Sequence, residues 1–183
     1  MADVSVRPAR AEDGAEIARI QVQTWQLGYA TILPAPVLAG LSVPASEEIW
    51  ASALADPPSP RHQVLVALEQ QWIVGFLALV PAADVEQPGE GGPDLRLTVA
   101  MGPLLVEPRW GRRGHGSRLL AAAVDTVRLA GLTHAIAWLP EADTASRSFF
   151  GAAGWVADGY ARTLDTGAGE LREVRIHVSL ETP

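Results

Sequence analysis

Between Val106 and Leu120 the chain reads VEPRWGRRGHGSRLL, with Gly111, Gly114 and Gly116 interleaved among Arg109, Arg112 and Arg113. An apolar strand leads into this segment and a leucine-rich helix leaves it. Glycines there let the backbone approach a ligand closely. The unpaired N–H groups of a helix's first turn, and its dipole, favour an anion. Arg112 and Arg113 add positive charge at the rim, and guanidinium forks match phosphate oxygens. The chemistry suggested is the seating of a diphosphate. A basic surface turn ahead of an ordinary helix explains the same residues, and this stretch alone leaves both readings open.

Two known phosphate patterns are excluded. Gly111 to Gly116 has the glycine spacing of a Walker loop, but Ser117-Arg118 follows where Lys-Ser/Thr is required. A dinucleotide fingerprint beginning at Gly114 would need glycine or alanine where Leu119 stands.

The elements that must position this loop follow from periodicity. Val4 to Ala9 alternates like a strand. Asp13 to Tyr29 carries Ile17, Ile20, Thr24 and Trp25 at helical spacing. Pro34 and Pro36 break that helix and open a second, shorter one. Ser46 begins a third candidate, ended by the prolines at 57, 58 and 60. Gln63–Leu68 and Trp72–Val80 read as strands around a polar turn, and Pro81 to Asp94 as a flexible acidic loop. The next strand runs to the Gly-rich loop and carries Gly102-Pro103, a bulge or kink. Gly116 to Leu129 is a helix burying Leu119, Leu120, Ala123, Val124 and Val127. A strand at 133–139 follows. Asp143 then caps a helix that Gly154 ends, and Tyr160–Leu164 and Arg172–Leu180 form a hairpin.

Composition bounds the function. The 183 residues read as one domain, 1–183, with 48% hydrophobic and 19% charged residues and a net charge of −7. That charge argues against general nucleic-acid binding. No apolar run reaches membrane-spanning length and the start lacks a signal peptide, so a cytoplasmic protein is expected. Cysteine, lysine and asparagine are all missing. A thiol acyl-enzyme and Schiff-base chemistry are therefore excluded. The four histidines show no ligand spacing, and no metal site is expected.

The loop is similar to the pyrophosphate loop of the GNAT superfamily of N-acetyltransferases, in which Leu-x-Val-x-Pro precedes Gln/Arg-x-x-Gly-x-Gly/Ala and a helix with a Leu-Leu pair. Leu104, Val106, Pro108, Gly114, Gly116, Leu119 and Leu120 match; Gly111 stands at the Gln/Arg position. Residues 138–159 resemble the family's trailing strand and helix, with Asp143, Ser146, Phe149, Phe150, Gly154 and Trp155 in the Asn-x-x-Ala-x-x-Phe-Tyr-x-x-x-Gly-Phe places. Trp25, Tyr29 and Pro34 resemble a Trp-x-x-x-Tyr-x-x-Ile/Leu-Leu-Pro segment of bacterial members.

The resemblance implies an α/β (α+β) fold: a mixed, mostly antiparallel sheet of six to seven strands flanked by helices, with a splayed strand pair at the cofactor cleft. It implies acetyl-CoA, held by Leu104, Leu105, Val106, the amides of Arg112, Arg113, Gly114, His115, Gly116 and Ser117, and by Asp143, Ser146, Phe149 and Phe150. Leu105 N–H is expected as the oxyanion donor. Trp25 and Tyr29 would meet the acceptor, a small-molecule or peptide amine; packing of the first helices explains them equally well. No nucleic-acid or membrane partner is expected, and the chain would be a monomer or homodimer. His115 is expected to face solvent or the diphosphate, and Glu107 to be a solvated turn residue.

The pattern breaks at Phe150, where many members carry a tyrosine that protonates the departing thiolate. Tyr29 or Tyr160 reaching in, water, or loss of catalysis are the alternatives. Asp94, Glu107 and Glu141 are the nearby carboxylates, and none is singled out as a base. Three functions follow: an N-acetyltransferase acting by direct attack in a ternary complex, an acyl-CoA sensor on the same fold, or a protein whose loop binds nothing.

Overall fold

A computed structural model describes residues 4–86 and 94–181. Residues 87–93, the middle of the expected acidic loop, lie outside the described residues. The strands are β1 (Val4–Pro8), β2 (Gln63–Glu69), β3 (Trp72–Pro81), β4 (Thr98–Val106), β5 (His134–Pro140), β6 (Val156–Asp165) and β7 (Glu170–Ser179). The helices are α1 (Gly14–Gly28), α2 (Ala35–Gly40), α3 (Val43–Ala55), α4 (His115–Leu129) and α5 (Thr144–Ala152). No described helix is long and apolar enough to cross a membrane.

One seven-stranded sheet runs in the order β1-β2-β3-β4-β5-β7-β6. All of its neighbours are antiparallel except β4 and β5. Alternation along β2 and β3 divides the core between two faces. Leu65, Ala67, Val74 and Leu77 pack against Leu119, Leu120, Ala123 and Val127 of α4. Val66 and Phe76 turn the other way, onto Ile17 and Ile20 of α1. Trp50 of α3 closes that second face, edge-on to Phe76 with ring centroids 5.2 Å apart.

The boundaries depart from expectation in three places. Helix α3 starts at Val43, because Ser42 caps it by accepting from Ala45 N–H and Pro44 fits the first turn. Strand β6 starts at Val156, four residues earlier than the sequence pattern suggests; a register shift between Ala157 and Ala161 breaks its alternation. The acidic loop begins with a 3₁₀ turn, Ala82–Asp84, and Glu86 is held by Trp138 Nε1 and Arg175.

Gly75 on β3 is fixed by close approach. A Cβ there would stand 2.6 Å from Leu105 O on β4. Gly75→Ala should therefore destabilise the fold by about 1–3 kcal/mol, the usual range for overpacking. Urea unfolding would show this, and an unchanged midpoint would contradict the tight β3–β4 contact.

Candidate active site

The cleft begins where β4 leaves β5. Their parallel pairing covers only Thr98↔His134, Val99↔Ala135 and Ala100↔Ile136. Beyond Ala100 the register of β4 against β3 shifts, with Leu77 opposite Leu104 but Leu79 opposite Met101. Gly102 and Pro103 form the bulge at that shift, and β4 then follows β3 alone.

Strand geometry decides which amides face the opening. Glu107 N–H donates to Val74 O on β3 at 2.9 Å. In an antiparallel pair every second residue points its N–H and C=O the same way. Leu105 therefore also turns its N–H and C=O toward β3, in keeping with the closeness of its carbonyl to Gly75. The amides of Leu104 and Val106 face the cleft. This corrects the expectation for Leu105: strand parity, which the motif does not reveal, directs its N–H into the sheet.

The loop after β4 ends in a left-handed residue, Gly114, at φ +82°, which is the N-cap of α4. No side chain caps this helix among the described residues. The first-turn N–H groups of His115, Gly116 and Ser117 are thus left for another acceptor. A cavity of about 330 Å³ opens there, lined by Gly111, Arg112, Gly114 to Ser117, Leu104, Val106, Ala145, Ser146, Phe149 and Phe150. Arg112 has no side-chain ion pair among the described residues.

The two neighbouring basic residues behave otherwise. His115 is 1% exposed, and its Nε2 lies 2.8 Å from Glu69 Oε2. Arg113 donates to the other Glu69 oxygen at 3.0 Å and lies over Trp110, 4.9 Å from the ring centroid. The expectation that the His115 side chain faces solvent or a diphosphate is corrected. As the first residue of α4 it falls on the buried face of that helix, above Glu69 at the end of β2. The Arg113 side chain is likewise drawn away from the cavity. Both are recruited to fix the loop on the sheet.

A second cavity, about 450 Å³, lies further along the splay and shares Leu104, Ser146 and Phe150 with the first. Trp25, Tyr29, Leu33 and Val37 wall it on one side. The break at Pro34 carries the chain from α1 into α2 over the cleft and so places Leu33 and Val37. Trp138 and Leu139 of β5, Arg162 of β6 and Leu171 and Glu173 of β7 wall the other side. The structure thus brings Trp25 and Tyr29 together with Leu104, Leu105, Ser146 and Phe150.

Asp143 caps α5 as expected, accepting from Ser146 N–H at 3.0 Å and Ser146 Oγ at 2.7 Å. It also accepts from Tyr29 Oη at 3.0 Å. Burial, the Asp143 charge and this hydrogen bond push the Tyr29 pKa well above that of a free phenol. Tyr160 lies elsewhere, stacked on Arg175 at 4.0 Å. The Phe150 ring is 3% exposed and packs edge-on against Phe149 and Trp155.

Of the carboxylates singled out in the sequence, Asp94 pairs with Arg96 and Glu141 with Arg172. Glu107 is not solvated. It is 6% exposed and pairs with Arg19 of α1 and with Arg109. Burial alone would raise its pKa, but the Arg19 hydrogen bond and the charges of Arg19 and Arg109 outweigh burial and hold it below the ordinary 4.5. The sequence reading missed Arg162 and Glu173 altogether. Their mutual position depends on the β6–β7 register, and the only local sign was charge alternation at Arg172, Glu173 and Arg175.

Comparison with known proteins agrees with this geometry. Residues 25–155 match the family described as the acetyltransferase (GNAT) family. YuaI of Bacillus subtilis strain 168, an uncharacterized N-acetyltransferase, is 28% identical over 138 residues, 75% of this chain and 72% of that one. The PaiA N-acetyltransferase of Thermoplasma acidophilum, solved with coenzyme A, superposes with a TM-score of 0.73 at 15% identity, covering 97% of this chain and 99% of its own. The YncA protein of Salmonella typhimurium, solved with its cofactor acetyl-CoA, gives a TM-score of 0.69 at 18% identity, covering 97% and 94%. At these identities the structural likeness is one of fold.

Glu107 ties α1 to the end of β4, immediately before the loop. Glu107→Gln should cost about 1–3 kcal/mol at pH 7, as for a lost hydrogen bond between charged groups. Its pKa is lower when folded than when unfolded, so its contribution is complete above about pH 5 and fades as pH falls through the folded value. The gap between wild type and variant in thermal melts should therefore narrow below pH 4.5. A gap independent of pH would remove the ionic part of this account.

Proposed function

The chain belongs to the acetyltransferase (GNAT) family, and on that premise we propose that it moves the acetyl group of acetyl-CoA to a primary amine by direct attack in a ternary complex. The observation that carries this is the uncapped start of α4, opening onto a cavity that shares Leu104, Ser146 and Phe150 with a second one able to take an acceptor. Acetyl-CoA is the co-substrate. When bound, it supplies the activated thioester.

The fit of that group to these residues is favourable. Three first-turn amides without a cap, the Gly114 turn and the unpaired Arg112 suit a diphosphate. The cleft-facing amides of Leu104 and Val106 suit an extended amide-bearing arm, as when a peptide joins a sheet edge. The same amides are the donors available to a carbonyl oxygen that gains negative charge, a role expected earlier of Leu105. In balance, the ammonium first sheds one proton, the neutral amine nitrogen forms the new C–N bond, the C–S bond breaks with the sulfur leaving as thiolate, and the nitrogen sheds a second proton to solvent, from which the thiolate is protonated.

Tyr29 is the sole phenol lining the acceptor cavity, but it is a poor replacement for the missing proton donor at 150. Its proton is committed to Asp143 and its pKa is raised, which disfavours transfer to the thiolate of a more acidic thiol. Tyr29 is read instead as a positioning residue that ties α1 to the α5 cap. A free thiolate of ordinary acidity leaves without an adjacent acid, and solvent can protonate it.

Two measurements test this reading. Acetyl-CoA should raise the melting temperature in proportion to the logarithm of its concentration; no saturable binding at millimolar concentration would overturn the proposal. Phe150→Tyr should change kcat by less than about tenfold, measured as thiol release. A larger rise would mean that the wild-type enzyme is limited by the absent acid. Tight binding without thiol release from any amine would favour the sensor function.

A further inference from the structure

We propose that the acceptor is a free α-amino acid with an apolar side chain, held as a zwitterion by Arg162 and Glu173; this rests on the acetyl-transfer reading above. Among the described residues, Arg162 and Glu173 are the only charged side chains lining the acceptor cavity. They sit directly opposite each other on β6 and β7. Arg162 Nε donates to Glu173 Oε2 at 2.7 Å.

That single bond leaves half of each group unused. The two terminal nitrogens of Arg162 and Oε1 of Glu173 have no partner among the described residues. Glu173 Oε1 is also not sealed inside the protein, unlike the buried orphan atoms of Thr24, Trp110 and His115. A cation with two parallel donors and an anion with one free oxygen lie side by side on one wall. This pattern is the complement of a carboxylate and an ammonium on one carbon. A lone amine would use only Glu173 and leave the guanidinium fork idle.

The fork is preorganised. Arg162 stacks on Trp138, 4.3 Å from the ring centroid, while Glu173 is 8% exposed. Neighbouring charges do not compete: Arg175 is held by Glu86 and Asp158, and Arg172 by Glu141. The remaining wall is apolar and aromatic, with Trp25, Leu33, Val37, Val85 and Leu171. It suits a hydrocarbon or aromatic side chain, and about 450 Å³ is within the usual range for small-ligand sites.

The test uses wild-type protein and matched ligands, so it does not depend on a variant folding. L-Leucine and L-phenylalanine are compared with their amides, with isoamylamine and phenethylamine, and with Leu-Gly-Gly. Binding to the coenzyme A-loaded protein is read by calorimetry, and turnover by thiol release from acetyl-CoA. The amino acids should exceed the amides and amines about 100-fold or more, because a site built for a carboxylate penalises its absence strongly. Arg162→Gln should reduce that ratio at least tenfold by raising KM for the amino acids; the wild-type ratios stand on their own if this variant does not fold. Equal or better binding and turnover of amines, amides or the peptide would overturn the zwitterion site and leave acetyl transfer intact. Amino acids that bind selectively yet release no thiol would uphold the site and remove acetyl transfer. Amino acids that do not bind at millimolar concentration would overturn the site.

Discussion

The site depends on one failure of pairing: β4 keeps β5 as a neighbour for three residues and then loses it. Every residue beyond Ala100 that touches the cleft owes its exposure to that divergence. Sheet strands with unpaired edges are ordinarily covered or blunted. Here the freed edge is internal, flanked by α5 and by the turn from α1 into α2, so its amides are sheltered without being bonded. The bulge at Gly102-Pro103 shifts the register of β4 against β3 just beyond the point where β4 and β5 part. Tight β3–β4 contact at Gly75 keeps the lower half of β4 from following β5 back. An open edge on one side thus requires a close fit on the other.

The two helices beside the cleft are treated in opposite ways. Helix α5 is capped by its own Asp143, which takes the Ser146 amide. Helix α4 starts on a glycine with nothing to cap it. The local chemistry is sequence-encoded in both cases, and the contrast supports the proposed seating of the diphosphate at α4. Leaving three donors open carries a cost to stability, which anchoring elsewhere offsets. Glu69 binds His115 and Arg113 together, and Arg113 lies over Trp110 in turn, so side chains anchor the loop to the sheet while its amides stay uncapped. Of the loop's arginines, Arg112 is the one without an ion pair among the described residues.

Much of this was legible in the sequence because the signals are local. Strand–loop–helix order, the Gly114 turn, the Asp143 cap and the burial face of α4 each follow from spacing within about fifteen residues. What escaped was set by register. Glu107 reads as a turn residue because its partner Arg19 is 88 positions away. His115 reads as part of a basic loop because Glu69 is 46 away. Leu105 is the expected donor until one hydrogen bond, from Glu107 to Val74, sets the parity of the strand. Arg162 and Glu173 belong to a hairpin whose bulge hides the alternation, so nothing short-range pairs them.

Phe150 shows how a departure from a family pattern can be absorbed by its surroundings. In this chain the position is filled by a ring packed against Phe149 and Trp155, 3% exposed, where it contributes to the core that supports α5. A hydroxyl elsewhere in the cleft was the obvious compensation, and Tyr29 does reach it. But Tyr29 is bonded to Asp143, which is bonded in turn to Ser146. A phenol in such a chain supplies order rather than protons, because releasing its proton would set two negative charges side by side in a poorly solvated place. On the proposed reading the burden of catalysis falls on positioning: amides of β4 and α4 to hold one reactant, and a paired arginine and glutamate to orient the other. Chemistry with a good leaving group tolerates that division, since alignment of amine and thioester supplies more of the rate than a proton donor to an already acidic thiol.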